Sequence, residues 1–418
     1  MQLSRQYSPH IWAIEVYKRR KTIPFAYVIA VVCALPTIAL ADSEDTLNLS
    51  VGAGVRFEDN LFRLSDDVDA SSLAGKPHKS DSIYSANAGI KIDKPYAQQR
   101  FKLDLTVTDN KFQQNSFLDY TGTNYSAAWL WQLTPHVSGT LLMDQQQSMV
   151  NFADFRSFGK PNIQTSQVKL FSIDGDLGAG WHAIGALMDV RARNSQTFNA
   201  VGDYVQQSVE LGGKYVSPSE SWISLVRRES QGEYRGRALD PVTQLDTGFE
   251  QSETEAKMNW KITGKSTIDT KLGYLDRTHD HFSERDYNGM VGKVEYQWAA
   301  TGKLQLNASL GRNLFSFQEA INSYYVADTL SLGPIWKISD KSKLWLKYDI
   351  SERDYHGAIV ATPELRQDTV HSILLGAEWR PTRTITVGAA LQRDTRLSNL
   401  DRFDYDANSA NIFAQMLF

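Results

Sequence analysis

Tyr405-Asp406-Ala407-Asn408-Ser409-Ala410-Asn411-Ile412-Phe413-Ala414-Gln415-Met416-Leu417-Phe418 is the last stretch of the chain, and its reading decides the fold. With a period of two, Ala410, Ile412, Ala414, Met416 and Phe418 share one side of a strand, and Ser409, Asn411, Phe413, Gln415 and Leu417 share the other. One face is apolar throughout; the other begins polar. Termini in water usually fray and carry polar residues. A strand that stops on a bare aromatic is instead what outer-membrane β-barrels present to the machinery that assembles them, and its apolar side is what a lipid-facing wall requires. Phe418 therefore implies barrel-assembly machinery as a partner, and outer-membrane lipid as the surroundings.

The same alternation runs back through the chain. Leu47, Leu49, Val51, Ala53, Val55 and Phe57 oppose Asn48, Ser50, Gly52, Gly54, Arg56 and Glu58. Tyr84, Ala86, Ala88, Ile90 and Ile92 oppose Ser85, Asn87, Gly89, Lys91 and Asp93, and Phe101, Leu103, Leu105 and Val107 oppose Lys102, Asp104, Thr106 and Thr108. Continued to the end, the pattern predicts about eighteen strands, with sixteen inside the usual boundary error. Short connections such as Lys94-Pro95-Tyr96, Thr134-Pro135, Gly264-Lys265 and Pro381-Thr382-Arg383 alternate with long ones such as 59–80, 109–122, 146–164 and 231–249. Barrels inserted from the periplasm have that asymmetry. Trp131, Trp260, Trp298, Trp336 and Trp379 each close a strand before a short turn, the pattern of an interfacial girdle. Trp129, Trp181, Trp222 and Trp345 fall near the same rim. The expected fold is all-β, a transmembrane antiparallel up-and-down barrel; a sandwich, propeller or solenoid is the remaining alternative.

Two regions divide the chain. Lys18-Arg19-Arg20-Lys21, the apolar run from Ile23 to Leu35 and Ala39-Leu40-Ala41 make residues 1–41 a secretory signal peptide cleaved near Ala41, and residues 42–418 the barrel. Cys33, the one cysteine, lies in the leader, so no disulfide or thiolate site survives processing. The mature chain would hold 39 basic against 47 acidic residues, which argues against a nucleic-acid partner. No periplasmic scaffold separates the leader from the first strand, so any export role needs separate periplasmic proteins.

Inward positions are where function would lie. Arg56, Lys91, Lys102, Asp104, Glu210, Lys214, Glu253, Glu255, Lys257, Lys271, Lys293, Glu295, Lys347 and Asp349 are the lumen-lining candidates. Both signs are mixed, which suits a hydroxyl-rich cargo better than a purely anion-selective pore, although most such residues simply solvate a wall. Arg227 and Arg228, being adjacent, cannot both face inward. The loop Asn151 to Phe158, with Phe152, Phe155 and Arg156, is too aromatic for solvent and too polar for lipid, and is the candidate constriction loop. Thr278-His279-Asp280-His281 is the best grouping for a metal, yet it sits in a predicted external loop where such residues are usually solvated. No phosphate-cradling glycine loop or nucleophile elbow occurs; the expectation is a protein without cofactor, metal or enzymatic activity.

Four segments carry a family resemblance: Gly52 to Leu64, Asp93-Lys94-Pro95-Tyr96, Asn124 to Trp131, and Asp154-Phe155. Through them the chain resembles the EpsL family of exosortase-linked exopolysaccharide systems. The resemblance implies a Gram-negative outer-membrane protein that moves an exopolysaccharide chain, or assists its secretion, and it supplies no catalytic residue. A general diffusion or uptake porin, or a non-conducting surface-assembly protein, is the competing class.

Overall fold

The computed structural model describes residues 46–73, 77–156, 158–360 and 364–418. The leader reading, residues 1–41, lies outside them. Among the described residues there are eighteen strands: β1 (Leu47–Glu58), β2 (Asp81–Tyr96), β3 (Gln99–Phe112), β4 (Tyr120–Thr134), β5 (Val137–Met149), β6 (Ile163–Gly178), β7 (Trp181–Asn194), β8 (Tyr204–Val216), β9 (Trp222–Tyr234), β10 (Gly248–Thr263), β11 (Ser266–His279), β12 (Tyr287–Trp298), β13 (Leu304–Ser316), β14 (Tyr324–Ser339), β15 (Ser342–His356), β16 (Gln367–Trp379), β17 (Ile385–Ser398) and β18 (Tyr405–Leu417). Each pairs antiparallel with its neighbours in sequence, and β18 pairs back onto β1, from Ser50 opposite Leu417 to Glu58 opposite Ser409. Phe418 completes the seam: its amide donates to the Leu49 carbonyl at 2.7 Å and its carbonyl accepts from the Leu49 amide at 2.9 Å. The sheet is closed, so no edge is left unpaired.

Residues opposite each other in an antiparallel ladder point to the same side, so the register carries one face assignment around the whole ring. Val51, Ala53, Val55 and Phe57 meet Met416, Ala414, Ile412 and Ala410 on the outside. Leu211, Leu225, Leu310, Leu391 and Ile412, each more than half exposed, belong to the same outer belt. Trp181, Trp260, Trp298, Trp336 and Trp379 stand out from its short-turn rim. Trp131 also faces outward, but it lies flat over Gly139 and stacks on Phe171 at 5.9 Å, leaving 6% of it exposed. Trp222 and Trp345 reach the same rim on the lumen side, because Ile223 and Leu344 beside them take the outer positions. Two of the tryptophans near that rim thus do not belong to the girdle.

Strands run higher than the apolar pattern alone predicts. On β17 the outer face reads Ile385, Val387, Ala389, Leu391 and then Arg393, Thr395 and Leu397, while the ladder to β18 continues past Arg393 to Arg396. Ile385 to Arg393 rises about 20 Å at a typical strand tilt, close to the apolar height a barrel wall needs. Above that height the outer face pairs charges: Lys111 with Asp109, Arg191 with Asp189, Arg227 with Glu229, Arg312 with Asp328 and Arg393 with Asp406. Alternation of apolar with polar stops where lipid stops, but backbone pairing does not.

The lumen-side Trp345 closes over Gly376, where a Cβ would meet its ring at 2.1 Å. Gly376→Val should lower the unfolding free energy of the folded barrel by about 1–3 kcal/mol through overpacking. Gly264→Ala, in a turn with nothing within 4 Å, should leave it unchanged; paired urea titrations in detergent check both.

Candidate functional site

The lumen has two zones. By register all the lumen-lining candidates from Arg56 to Asp349 fall on the inner face. Arg56, opposite Ile83 and paired with Glu58, lies at the long-loop end, and the others line the lower zone, toward the short turns. Lys293 and Lys347, about half exposed, pair with Glu295 and Asp349, each at 2.6 Å. A tighter network crosses β8 to β11. Arg228 bonds Glu210 and, at 2.7 Å, Glu253, while Lys257 bonds Glu210 at 3.2 Å and Glu255 at 2.9 Å. Lys271 bonds Glu255 at 2.5 Å. Three cations face three anions, so this wall is balanced rather than selective for one sign. Arg228 takes the inner face, and Arg227 the outer one, donating to Glu229 at 2.6 Å and to Thr254 Oγ1 at 2.8 Å.

The upper zone is packed like a protein interior. Inward side chains at the long-loop ends of the strands include Ile83, Phe112, Tyr234, Phe249, Tyr287, Tyr355 and Tyr405, all buried. Loops fold down onto them. Residues 59–73 bring Leu61, Phe62, Leu64 and Ala70 against Ile83, Phe112, Leu118 and Phe152. Asn60 holds their turn, accepting from the Leu64 amide at 3.0 Å and donating to the Asp406 carbonyl at 2.7 Å. Phe62 and Phe152, with ring centroids 4.6 Å apart, are almost fully buried. Burial of each is worth about 1.5–3 kcal/mol.

Residues 150–162, between β5 and β6, cross the mouth. β15 lies nine strands from β6 in an eighteen-strand ring, directly across the lumen. Asp154 on this segment is met by long side chains from other parts of the wall, Arg396 Nη2 of β17 at 2.8 Å and Arg353 Nη1 of β15 at 3.5 Å. The Ala153 carbonyl accepts from Arg396 Nη1 at 3.0 Å, and Ala153 packs on Tyr405 and Ala407 of β18. Of the candidate constriction residues, Phe152 joins the first-loop core, and Phe155 packs edge-on against Phe198 at 5.0 Å. Arg156 lies over Phe403 at 4.8 Å. Ser157, within the same segment, is outside the described residues.

Phe198 leads into a second cluster, with Ala200, Phe317, Tyr325 and Tyr355. Arg285 staples this side, donating to the carbonyls of Thr243, Gln244, Glu319 and Asn322 and to Ser323 Oγ, and its burial pushes the guanidinium down to about 10. The two histidines of the metal candidate diverge. His279 turns inward to Asp286 at 3.3 Å and Gln318 at 3.0 Å, while His281 binds Asp246 at 2.9 Å. Asp246 already accepts the amides of His281 and Phe282, so it closes a loop. The ligand atoms of His281, Asp280 and Asp246 still lie within 4.8 Å of one another, so of the sequence grouping His281 and Asp280 stay together, joined by Asp246, while His279 leaves it.

Arg353, Arg366, Asp368 and Arg396 were not among the sequence candidates. Arg353 and Arg396 lie past the point where the outer face turns polar, in what reads as loop, and only the extended ladder reveals that they face inward. Arg366 grips Asp368 through Nε at 2.9 Å and Nη2 at 2.6 Å.

Residues 247–416 match the family model described as "Putative beta-barrel porin 2". No relative was found among curated proteins. Among solved structures, OccK2 (OpdF) of Pseudomonas aeruginosa is similar over 90% of this chain and 99% of its own, at 9% identity and a TM-score of 0.52. OpdK of the same organism is similar over 90% and 100%, at 11% identity and a TM-score of 0.48. The first likeness bears on fold alone. Joined to the closed register, the apolar belt and the porin match, it makes the chain a porin-like outer-membrane β-barrel.

Proposed function

We propose that the barrel is a gated channel for saccharide and, following the resemblance to EpsL proteins, that it takes part in exopolysaccharide secretion, receiving the chain from separate periplasmic export proteins. The observation that carries this reading is the division of the lumen. The lower zone is polar and most of its charges are paired, which offers a hydroxyl-rich chain brief hydrogen bonds without trapping it. The closure above is made by loops, anchored where Asp154 meets Arg353 and Arg396. A wall cannot widen without breaking its ladder; a loop held by a few ion pairs can move. Uptake of small solutes is the second reading, favoured by the way residues 150–162 narrow the mouth.

Currents across planar bilayers separate the two. A conduit for polymer should show currents that the exopolysaccharide blocks, and a strain lacking the protein should lose secreted polymer. Steady unblocked currents together with normal secretion would assign the barrel to small-solute uptake.

The gate has its own tests. Asp154→Asn removes the charge that Arg353 and Arg396 share; a loss of about 2 kcal/mol shifts the closed-to-open ratio roughly thirty-fold, read as open probability in single-channel records. Burial alone would raise the Asp154 carboxyl, but the charges of Arg396, Arg353 and Arg366 outweigh it and hold it below the usual carboxylate range. A depressed carboxyl contributes its full stabilisation above the unfolded value of about 3.9 and loses it only as pH falls through the lower folded value. Open probability from this latch should therefore be flat from pH 7 to pH 5 and rise only in stronger acid; a rise near pH 6 would show that another group holds the loop.

A further inference from the structure

Three guanidinium groups surround the ring of Phe403: Arg366 at 3.6 Å, Arg156 at 4.8 Å and Arg402 at 4.9 Å from its centroid. Arg353 and Arg396 stand beside them on Asp154. The carboxylates on hand are fewer. Asp368 is taken by Arg366 and approached by Arg396 Nε at 3.6 Å, and Asp154 is shared by Arg396 and Arg353. Glu319 is the third nearby, and burial pushes its carboxyl up, toward the neutral form.

Arg156 is the cation left over. Its Nε and Nη2 are buried and have no hydrogen-bond partner, and among the described residues no carboxylate pairs with it. Burial, together with the like charges of Arg396 and Arg366, pushes this guanidinium down, and the charge of Asp154 opposes the shift without overcoming it. The unmet atoms form one edge of the planar fork. That same edge grips carboxylates elsewhere in this chain: Arg100 holds Asp93 at 2.6 and 3.0 Å, and Arg191 holds Asp189 at 2.7 and 3.1 Å. A buried guanidinium edge without an anion is costly, and a two-oxygen planar anion is the group that relieves it.

We propose that the Nε–Nη2 edge of Arg156 is the seat for a carboxylate of an acidic saccharide, placed by the crossing loop at the mouth of the lumen. This rests on the reading of residues 150–162 as the gate, and names an acidic sugar as the class of cargo that meets it. In the closed arrangement the edge is shut off from water, so the anion enters as the loop shifts.

Calorimetric titration of the full barrel in detergent tests it, with glucuronate as the probe and glucose and inorganic phosphate as comparators. Glucuronate should bind the wild type and bind at least tenfold more weakly to both Arg156→Gln and Arg156→Lys, the second keeping the charge without the fork. Glucose should give no heat. Glucuronate affinity unchanged in either variant, no binding to the wild type, or phosphate binding as tightly as glucuronate would each overturn the assignment. Arg156→Lys keeps a cation over Phe403, so its unfolding midpoint should match that of the wild type, and the loss of glucuronate binding then reads the missing fork. Currents blocked by neutral exopolysaccharide in that variant would leave the channel reading standing whichever way these titrations fall.

Discussion

A backbone amide facing hydrocarbon has no water to turn to, so every such group in the wall must find its partner inside the wall. That constraint closes the sheet. β18 folds back onto β1, and even Phe418 is held by both of its backbone hydrogen bonds to Leu49. Closure in turn fixes the parity of every position: once Val51 and Met416 point to lipid, Gly52 and Gln415 point to the lumen, and the assignment passes from ladder to ladder around the ring.

From the closed wall the remaining features follow in order of height. Within the apolar belt the inner face is free to be polar, and there Arg228, Lys257 and Lys271 balance Glu210, Glu253 and Glu255. Above the belt the outer face meets water or headgroups and becomes charged. The inner face, freed from lining a wet channel, becomes aromatic, and the loops descend to cover it. Two apolar clusters form, one around Phe62 and Phe152 and one around Phe317 and Tyr355, and the contact of Phe155 with Phe198 brings them together over the lumen.

Much of the wall was legible in the sequence because alternation is local. The eighteen strands, the short and long connections and the inward charges from Arg56 to Asp349 can all be read from neighbours two residues apart. The cluster at the mouth could not. Asp154 and Arg396 are far apart in sequence, and they meet only because a loop crosses a ring whose circumference no local pattern reveals. Residues 59–80 read as a polar segment from composition, yet Leu61, Phe62 and Leu64 are buried in it. Trp222 and Trp345 showed a different limit: closeness to a turn gives height, whereas parity gives side, and a rim tryptophan needs both.

Closure of the mouth depends on the crossing loop lying against β17 and β18. Ala153 of that loop and Ala407 of β18 belong to one buried cluster, and after Cys33 the sequence contains no cysteine. A chain carrying both Ala153→Cys and Ala407→Cys, assembled in outer membranes and treated with a short bifunctional thiol reagent, should cross-link within the monomer. If both thiols instead react singly with a water-soluble maleimide and no cross-linked species forms, the loop does not lie where the closure requires it.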